Sequence, residues 1–235
     1  MSSLPWGAVE ETPAAGDGDF LAELPPGAAE ELRNLGTRRR FPAGAVLFLE
    51  GDPAHDALVL LSGEVKVSVG SAEGKEIVLE VFEAGALLGE LSVLDGKPRS
   101  ATVTALTPVE VLSVAASSFN EFLDRHPGVL RRLLVDVIGR LRSRVRHQLE
   151  FGAGDALGRV CARLAELADR YGEPEGDAVV VHSPLNQSEL AAWTGLSREA
   201  VVKALRALRQ LEWIDVSGRT FLVKDLERLR GRATQ

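Results

Sequence analysis

Between Arg38 and about Val114 the chain runs in short apolar stretches punctuated by glycine: GAVLFLEGD, ALVLLSGEVKVSVG, KEIVLEVFEAG, ATVTAL and VEVLSV. In GEVKVSV, Val65, Val67 and Val69 alternate with Glu64, Lys66 and Ser68, the period of a half-buried strand. Turn signals recur about every 8 to 12 residues, the spacing of an antiparallel sandwich or jelly roll. No strand-helix-strand alternation suggests a parallel nucleotide-binding sheet. A short helix is expected upstream, Pro26 to Leu35, preceded by residues 1–18, MSSLPWGAVEETPAAGDG, which are rich in Pro, Gly and acid and read as a disordered tail.

The period changes at Pro127. Leu130, Leu134, Val137, Leu141, Val145 and Leu149 fall three or four apart as far as Phe151, with Arg131, Arg132, Arg140, Arg142, Arg144 and Arg146 on other faces. One apolar stripe on so long a helix predicts pairing with a second copy of itself; the alternative is a helix lying on its own β domain. Gly152 and Gly154 in FGAGD are expected to break the helix and form a hinge, and Asp155 is a ready N-cap for the next one. That helix carries Leu157, Val160, Leu164, Leu167 and Tyr171 and closes at Gly172 and Pro174.

LNQSELAAWTGLSREAVVKALRALRQLEWIDV then predicts a short helix from Gln187 to Trp193, a break at Gly195, and a second helix after Ser197 with Val201, Val202, Leu205, Leu208 and Leu211 inward. This is a helix-turn-helix, whose second helix can enter a major groove. Arg198, Glu199 and Lys203 sit where base edges would be read: Arg pairs with guanine O6 and N7, and Glu accepts from cytosine N4. A purely structural reading stays open for Ser197 as N-cap and for Glu199 as an acid at the positive end of the helix dipole. WIDVSGRTFLVKDLERL reads as two strands around Ser217-Gly218-Arg219, the wing of a winged helix.

Charge sharpens this picture. The 235 residues carry a net charge of −7, but residues 1–126 hold 9 basic and 20 acidic side chains, residues 127–182 hold 9 and 8, and residues 183–235 hold 9 and 6. An acidic front and a mildly basic rear suit a polyanion bound through the C-terminal part. The one cysteine, Cys161, excludes intrachain disulfides and clusters built on several thiolates. The four histidines, His55, His126, His147 and His182, show no metal-ligand spacing, so no metal is expected. No apolar run approaches the roughly 18 to 20 residues of a membrane span, and the N-terminus lacks a secretory layout, so no membrane association and a cytoplasmic location are expected. No nucleophile-base constellation points to an enzyme.

In GELSVLDGKPRSATV a turn glycine precedes a carboxylate, and an arginine follows nine residues later. A β-roll with this G-E…R-S element, a long helix and a winged helix-turn-helix bearing S-R-E together resemble the CRP/FNR family of cyclic-nucleotide-type transcription regulators, over about Phe20 to Leu229. The resemblance implies an α+β fold: a disordered tail (1–18), a cyclic-nucleotide-binding β-roll (19–126), a dimerisation helix (127–151) and a winged helix-turn-helix DNA-binding domain (152–235). It places the family's phosphate-binding cassette on Gly89, Glu90, Arg99 and Ser100, with Leu91 offering a backbone amide. Gly89 would let the backbone approach the ligand, Glu90 hold the ribose 2′-hydroxyl, and Arg99 with Ser100 neutralise the cyclic phosphate. Family members that bind cAMP touch adenine with a Thr-Ser pair from the long helix, where this chain has Arg144-Val145. The adjacent Ser143 could substitute after a small rotation, or Arg144 could stack on the base, bond a guanine edge, or face solvent or the partner helix. The implied ligand is cAMP, with cGMP or another ligand as the alternative, and a constitutively active regulator with a vestigial pocket as a further one. The family's R-E-T-V-x-R appears as Arg198-Glu199-Ala200-Val201-Val202-Lys203, and a lysine there supplies a point charge in place of a bidentate fork. Gln187, Ser197, Arg198, Glu199, Lys203 and Arg219 form the implied DNA surface. The implied partners are a palindromic duplex, a second copy of the chain through the long helix, and RNA polymerase.

Overall fold

The computed structural model describes residues 19–71, 74–153 and 155–233, with the backbone alone over 143–153. The tail expected to be disordered, 1–18, lies outside the described residues. Helices α1 (Phe20–Glu23) and α2 (Pro26–Leu35) lead into strands β1 (Gly36–Phe41), β2 (Val46–Phe48), β3 (Asp56–Ser62), β4 (Glu64–Gly70), β5 (Glu76–Glu83), β6 (Leu87–Leu88), β7 (Thr102–Ala105) and β8 (Val109–Ala115), with helix α3 (Glu90–Asp95) between β6 and β7. They form two antiparallel sheets, β1-β8-β3-β6 and β2-β7-β4-β5, the jelly-roll order that the alternating apolar runs predict. Leu58, Leu60, Val65, Phe82, Val103 and Val111 fill the space between the sheets.

Helix α4 (Ala116–Arg125) and the start of α5 (Pro127–Ala153) pack with α1 and α2 outside the first sheet, around Phe20, Leu32, Val114, Phe119, Phe122, Val129 and Leu133. Pro127 opens α5 where its fixed φ suits a helix and its missing N–H costs nothing. The helix runs two residues past the expected end, so Gly152 is helical and does not break it. A helical glycine costs only about 1 kcal/mol relative to alanine, which neighbouring helix-formers offset. Gly154, the other expected breaker, lies outside the described residues. While Val129 and Leu133 are buried, Leu130, Leu134, Val135, Ile138 and Leu141 stay exposed, Leu141 at 61%. One face of α5 therefore lies on its own β domain, and another is left uncovered.

Asp155 caps α6 (Ala156–Tyr171), accepting from Gly158 N at 2.8 Å. There follow β9 (Gly172–Glu175), β10 (Ala178–His182), α7 (Gln187–Thr194), α8 (Arg198–Gln210), β11 (Ile214–Ser217), β12 (Thr220–Val223) and α9 (Leu226–Ala233). The strands form an antiparallel sheet, β11-β12-β10-β9. Asn186 and Glu189 close a capping box on α7, Gly195 turns the chain in the left-handed region (φ 65°), and Ser197 caps α8 by accepting from Ala200 N at 3.2 Å. Leu211, expected inward, is 48% exposed because α8 ends at Gln210 and the chain turns away at that point.

One strand departs from its pattern. β4 was expected to be buried on one face, yet Lys66 is 8% and Ser68 2% exposed. The C-terminal domain covers the polar face of this sheet: Val78 and Val81 of β5 belong to the same apolar cluster as Leu190, Trp193 and Leu208.

Candidate functional site

A cavity of about 220 Å³ opens in the β-roll, bounded on its apolar side by Phe48, Val67, Leu79 and Phe82 and on its polar side by Gly89, Glu90, Arg99, Ser100 and Arg140. The chain reaches it at the end of β6. Gly89, with φ 75° and ψ 7°, forms the left-handed turn that starts α3, a conformation L side chains adopt only at a cost. After α3 the backbone is pinned again, Arg99 N donating to Asp52 O (2.8 Å) and Gly51 N to Arg99 O (2.9 Å).

Arg99 is 3% exposed. Its Nη1 donates to Gly89 O (3.0 Å), and its Nη2 to Asp56 O (2.7 Å) and Asp56 Oδ1 (2.6 Å). The guanidinium lies 4.1 Å over the Phe48 ring. Asp56 is itself held by Ser113 Oγ (2.6 Å) and Arg39 Nη1 (3.4 Å). Burial draws the Arg99 pKa below its ordinary value, and the Asp56 carboxylate opposes the shift. Its Nε is buried without a hydrogen-bond partner among the described residues. A buried donor left unmade is costly, and Arg99 as a whole lines the cavity, which gives that wall the positive charge of an anion site. Glu90 is 2% exposed and pairs with Nη2 of Arg140, which reaches across from α5. Ser100 and Leu91 are exposed at the rim.

The structure thus brings Gly89, Glu90, Leu91, Arg99 and Ser100 together around one cavity. The side chain of Arg144 lies outside the described residues. Arg140, one helical turn earlier, lines the pocket from α5 among the described residues, and the sequence placed it only among the polar faces. Its signal was weak: an arginine among six on one helix, distinguished only by what it meets in space.

A second cleft gathers Asn186, Gln187, Ser188, Arg198, Gly218 and Arg219. Three of the expected DNA-surface residues, Gln187, Arg198 and Arg219, meet there from three different elements. Ser197, Glu199 and Lys203 are exposed on the adjoining first turns of α8. Glu199 is held below the ordinary carboxylate range, first by its own backbone N–H and then by the Ser197 hydroxyl, as suits an acid at the positive end of the helix dipole. Arg206, not singled out from the sequence, is exposed three residues beyond Lys203 on the same stripe of α8. The spacing 199, 203, 206 was the signal that could have found it.

Among the described residues no cluster of His, Cys, Asp and Glu could hold a metal ion, and no helix is long and apolar enough to cross a membrane. Comparison with known proteins matches residues 38–126 to the cyclic nucleotide-binding domain and residues 158–232 to the Crp-like helix-turn-helix domain. The chain is 34% identical over 193 residues to the CRP-like cAMP-activated global transcriptional regulator of Mycobacterium tuberculosis (strain ATCC 25618 / H37Rv), covering 82% of this chain and 86% of that one. It is 28% identical over 188 residues to the cAMP-activated global transcriptional regulator CRP of Escherichia coli O157:H7, covering 78% and 88%. In fold it is similar to the c-di-GMP responsive global regulator CLP of Xanthomonas campestris, with a TM-score of 0.75 at 22% identity over 85% of this chain and 99% of that one. These relatives are transcription regulators and not enzymes. With both domain matches in the order of the family and a relative 34% identical along most of its length, the chain belongs to the CRP/FNR family of cyclic-nucleotide-responsive transcription regulators.

Proposed function

We propose that this protein is a cytoplasmic, homodimeric regulator in which cAMP, or cGMP as the alternative purine, enters the β-roll cavity and controls binding of a palindromic duplex. The observation that carries the reading is Arg99: a fully buried guanidinium beside a cavity, its Nε unpartnered among the described residues and its Nη groups held in place by Gly89 and Asp56. A planar cation fixed in this way suits a cyclic phosphodiester. Ser100 adds a hydroxyl, the Leu91 amide a donor, and the Glu90 carboxylate an acceptor for the ribose 2′-hydroxyl. Arg144 stands on the helix that would meet the base. RNA polymerase is a further partner in this reading, and metals have no part in it.

The division of labour assigns ligand binding to residues 19–126, dimerisation to 127–151 and DNA binding to 152–235. The uncovered stripe Leu130, Leu134, Ile138 and Leu141 supports α5 as the seam between two copies. Arg140 supports a path from pocket to seam, since a ligand hydroxyl on Glu90 alters the partner of a side chain on α5. On the DNA side, Arg198, Glu199 and Lys203 read base edges, while Gln187, Ser197 and Arg219 position the domain on phosphates. The two α8 helices then sit about one DNA turn, roughly 34 Å, apart. Turning an almost inactive population into an almost active one requires a ligand preference of about 5.5 kcal/mol for the active state.

Calorimetric titration of cAMP and cGMP into the native protein and Arg99→Ala, followed by gel-shift at each saturating level, tests this. Binding to the native protein and its loss in the variant are expected, with tighter duplex binding in the presence of ligand. Absence of binding to either nucleotide, or saturation that leaves duplex affinity unchanged, overturns it and leaves the constitutive alternative.

A further inference from the structure

Strands β4 and β5 form a wall shared by two domains. Val67, Leu79 and Phe82 line the cavity beside Arg99. Their neighbours Lys66, Val78 and Val81 meet the C-terminal domain instead: Val78 and Val81 are buried in its core cluster, and Arg170 of α6 donates to Val81 O at 3.0 Å. Lys66 is 8% exposed, and its Nζ lies 3.0 Å from Glu76 Oε2 and 3.3 Å from Glu189 Oε1. The other oxygen of Glu189, Oε2, accepts from Asn186 N at 2.9 Å and closes the capping box of α7. One carboxylate therefore joins a strand of the nucleotide domain to the first turn of α7, whose Asn186, Gln187 and Ser188 wall the cleft that holds Arg198 and Arg219. This docking uses the back of the helix-turn-helix, because Ser197, Arg198, Glu199, Lys203 and Arg219 all remain exposed.

Against a well-packed apolar pair, an ion pair so largely withdrawn from water adds little net stability, since desolvation offsets attraction, but removing one partner loosens the contact because the other charge loses its compensation. What such a pair can fix is geometry, because its strength depends on placing two groups at one distance. We propose that Lys66 is a positioning residue for DNA binding: through Glu189 it sets the pose in which the β-roll presents α7 and α8. Pocket contents then reach the DNA cleft through the β4–β5 hairpin within a single protomer, a route separate from the seam between two copies. This inference rests on the reading of the two domains given under Proposed function.

Glu189→Gln isolates the contact. Glutamine serves at this capping-box position, and Lys66 keeps Glu76, so only the charge across the domains is lost. Lys66→Met keeps the stem and removes the ammonium, and Lys66→Arg restores a cation. Amide hydrogen exchange on the free protein reads the docking directly: exchange over 76–83 and 187–194 is expected to quicken about tenfold in Glu189→Gln and Lys66→Met and to recover in Lys66→Arg. With saturating cAMP, affinity for a palindromic duplex that the native protein binds is expected to fall about tenfold in both variants while cAMP affinity stays within about twofold. The slope of log affinity against log salt is expected not to change, because Lys66 touches no phosphate. Native exchange rates in both variants, or quickened exchange with unchanged duplex affinity, overturn the proposal. Should the native protein bind neither cAMP nor duplex, the functional reading fails, and the exchange rates still decide whether this pair holds the domains together.

Discussion

Replacing Gly89 with alanine separates what a left-handed turn costs from what the pocket needs, provided Gly96→Ala is measured beside it. Both glycines flank α3 in the same region, at φ 75° and φ 69°. Adding a Cβ in that conformation costs about 1–2 kcal/mol at either site. At Gly96 nothing lies within 4 Å of the added carbon, whereas at Gly89 it would stand 2.2 Å from Arg99 Nη1 and 3.1 Å from its Cζ. The guanidinium must shift, losing the 3.0 Å bond to Gly89 O, and a hydrogen bond to a charged group is worth about 1.5–3 kcal/mol. Gly96→Ala should therefore lose about 1–2 kcal/mol, and Gly89→Ala about 2.5–5 kcal/mol. For a chain of this size each kcal/mol moves Tm by about 2–4 °C, so thermal unfolding by circular dichroism separates the two. Calorimetric titration with cAMP should show native affinity in Gly96→Ala and a loss of about ten- to a hundredfold in Gly89→Ala, which displaces the proposed phosphate partner. Equal Tm and equal cAMP affinity in the two variants would refute the role assigned to the approach of Gly89 and Arg99.

Arg140→Ala leaves the buried Glu90 carboxylate without its α5 partner and should cost about 3–5 kcal/mol in denaturant unfolding; adding Glu90→Gln should recover most of the loss, and a double variant no more stable than Arg140→Ala contradicts the pairing. Glu64 titrates above the ordinary carboxylate value, first through burial and then through the facing charge of Glu83. A raised folded pKa gives stability that is full below the unfolded value and lost as pH rises through the folded one. Glu64→Gln should therefore raise Tm at pH 8 and lose that advantage by pH 4, and an advantage unchanged across this range rejects the assignment. Arg219→Ala, at the wing tip, should weaken binding to all duplexes alike and reduce the salt slope by about 1, whereas altered preference at a single base position would make Arg219 a base reader.

Local pattern determined much of this protein. Alternation from Arg38 to Val114, the proline opening α5, the caps at Asp155 and Ser197 and the glycine turn at Gly195 fixed the jelly roll, the long helix and the helix-turn-helix, because each depends on backbone conformation within a few residues. The loop that gathers Gly89 and Arg99 at one cavity was legible for the same reason, since its turn is set within a few residues. Tertiary structure alone decided which charged residues the domains would bury. Nothing in the alternation of β4 distinguishes Lys66 from a solvated lysine, and nothing along α5 distinguishes Arg140 from its fellow arginines. Their roles arise where α7 covers a strand and where a helix crosses a pocket. Those contacts join residues 123 and 50 positions apart, so their energies depend on how the domains dock, and periodicity carries no record of that.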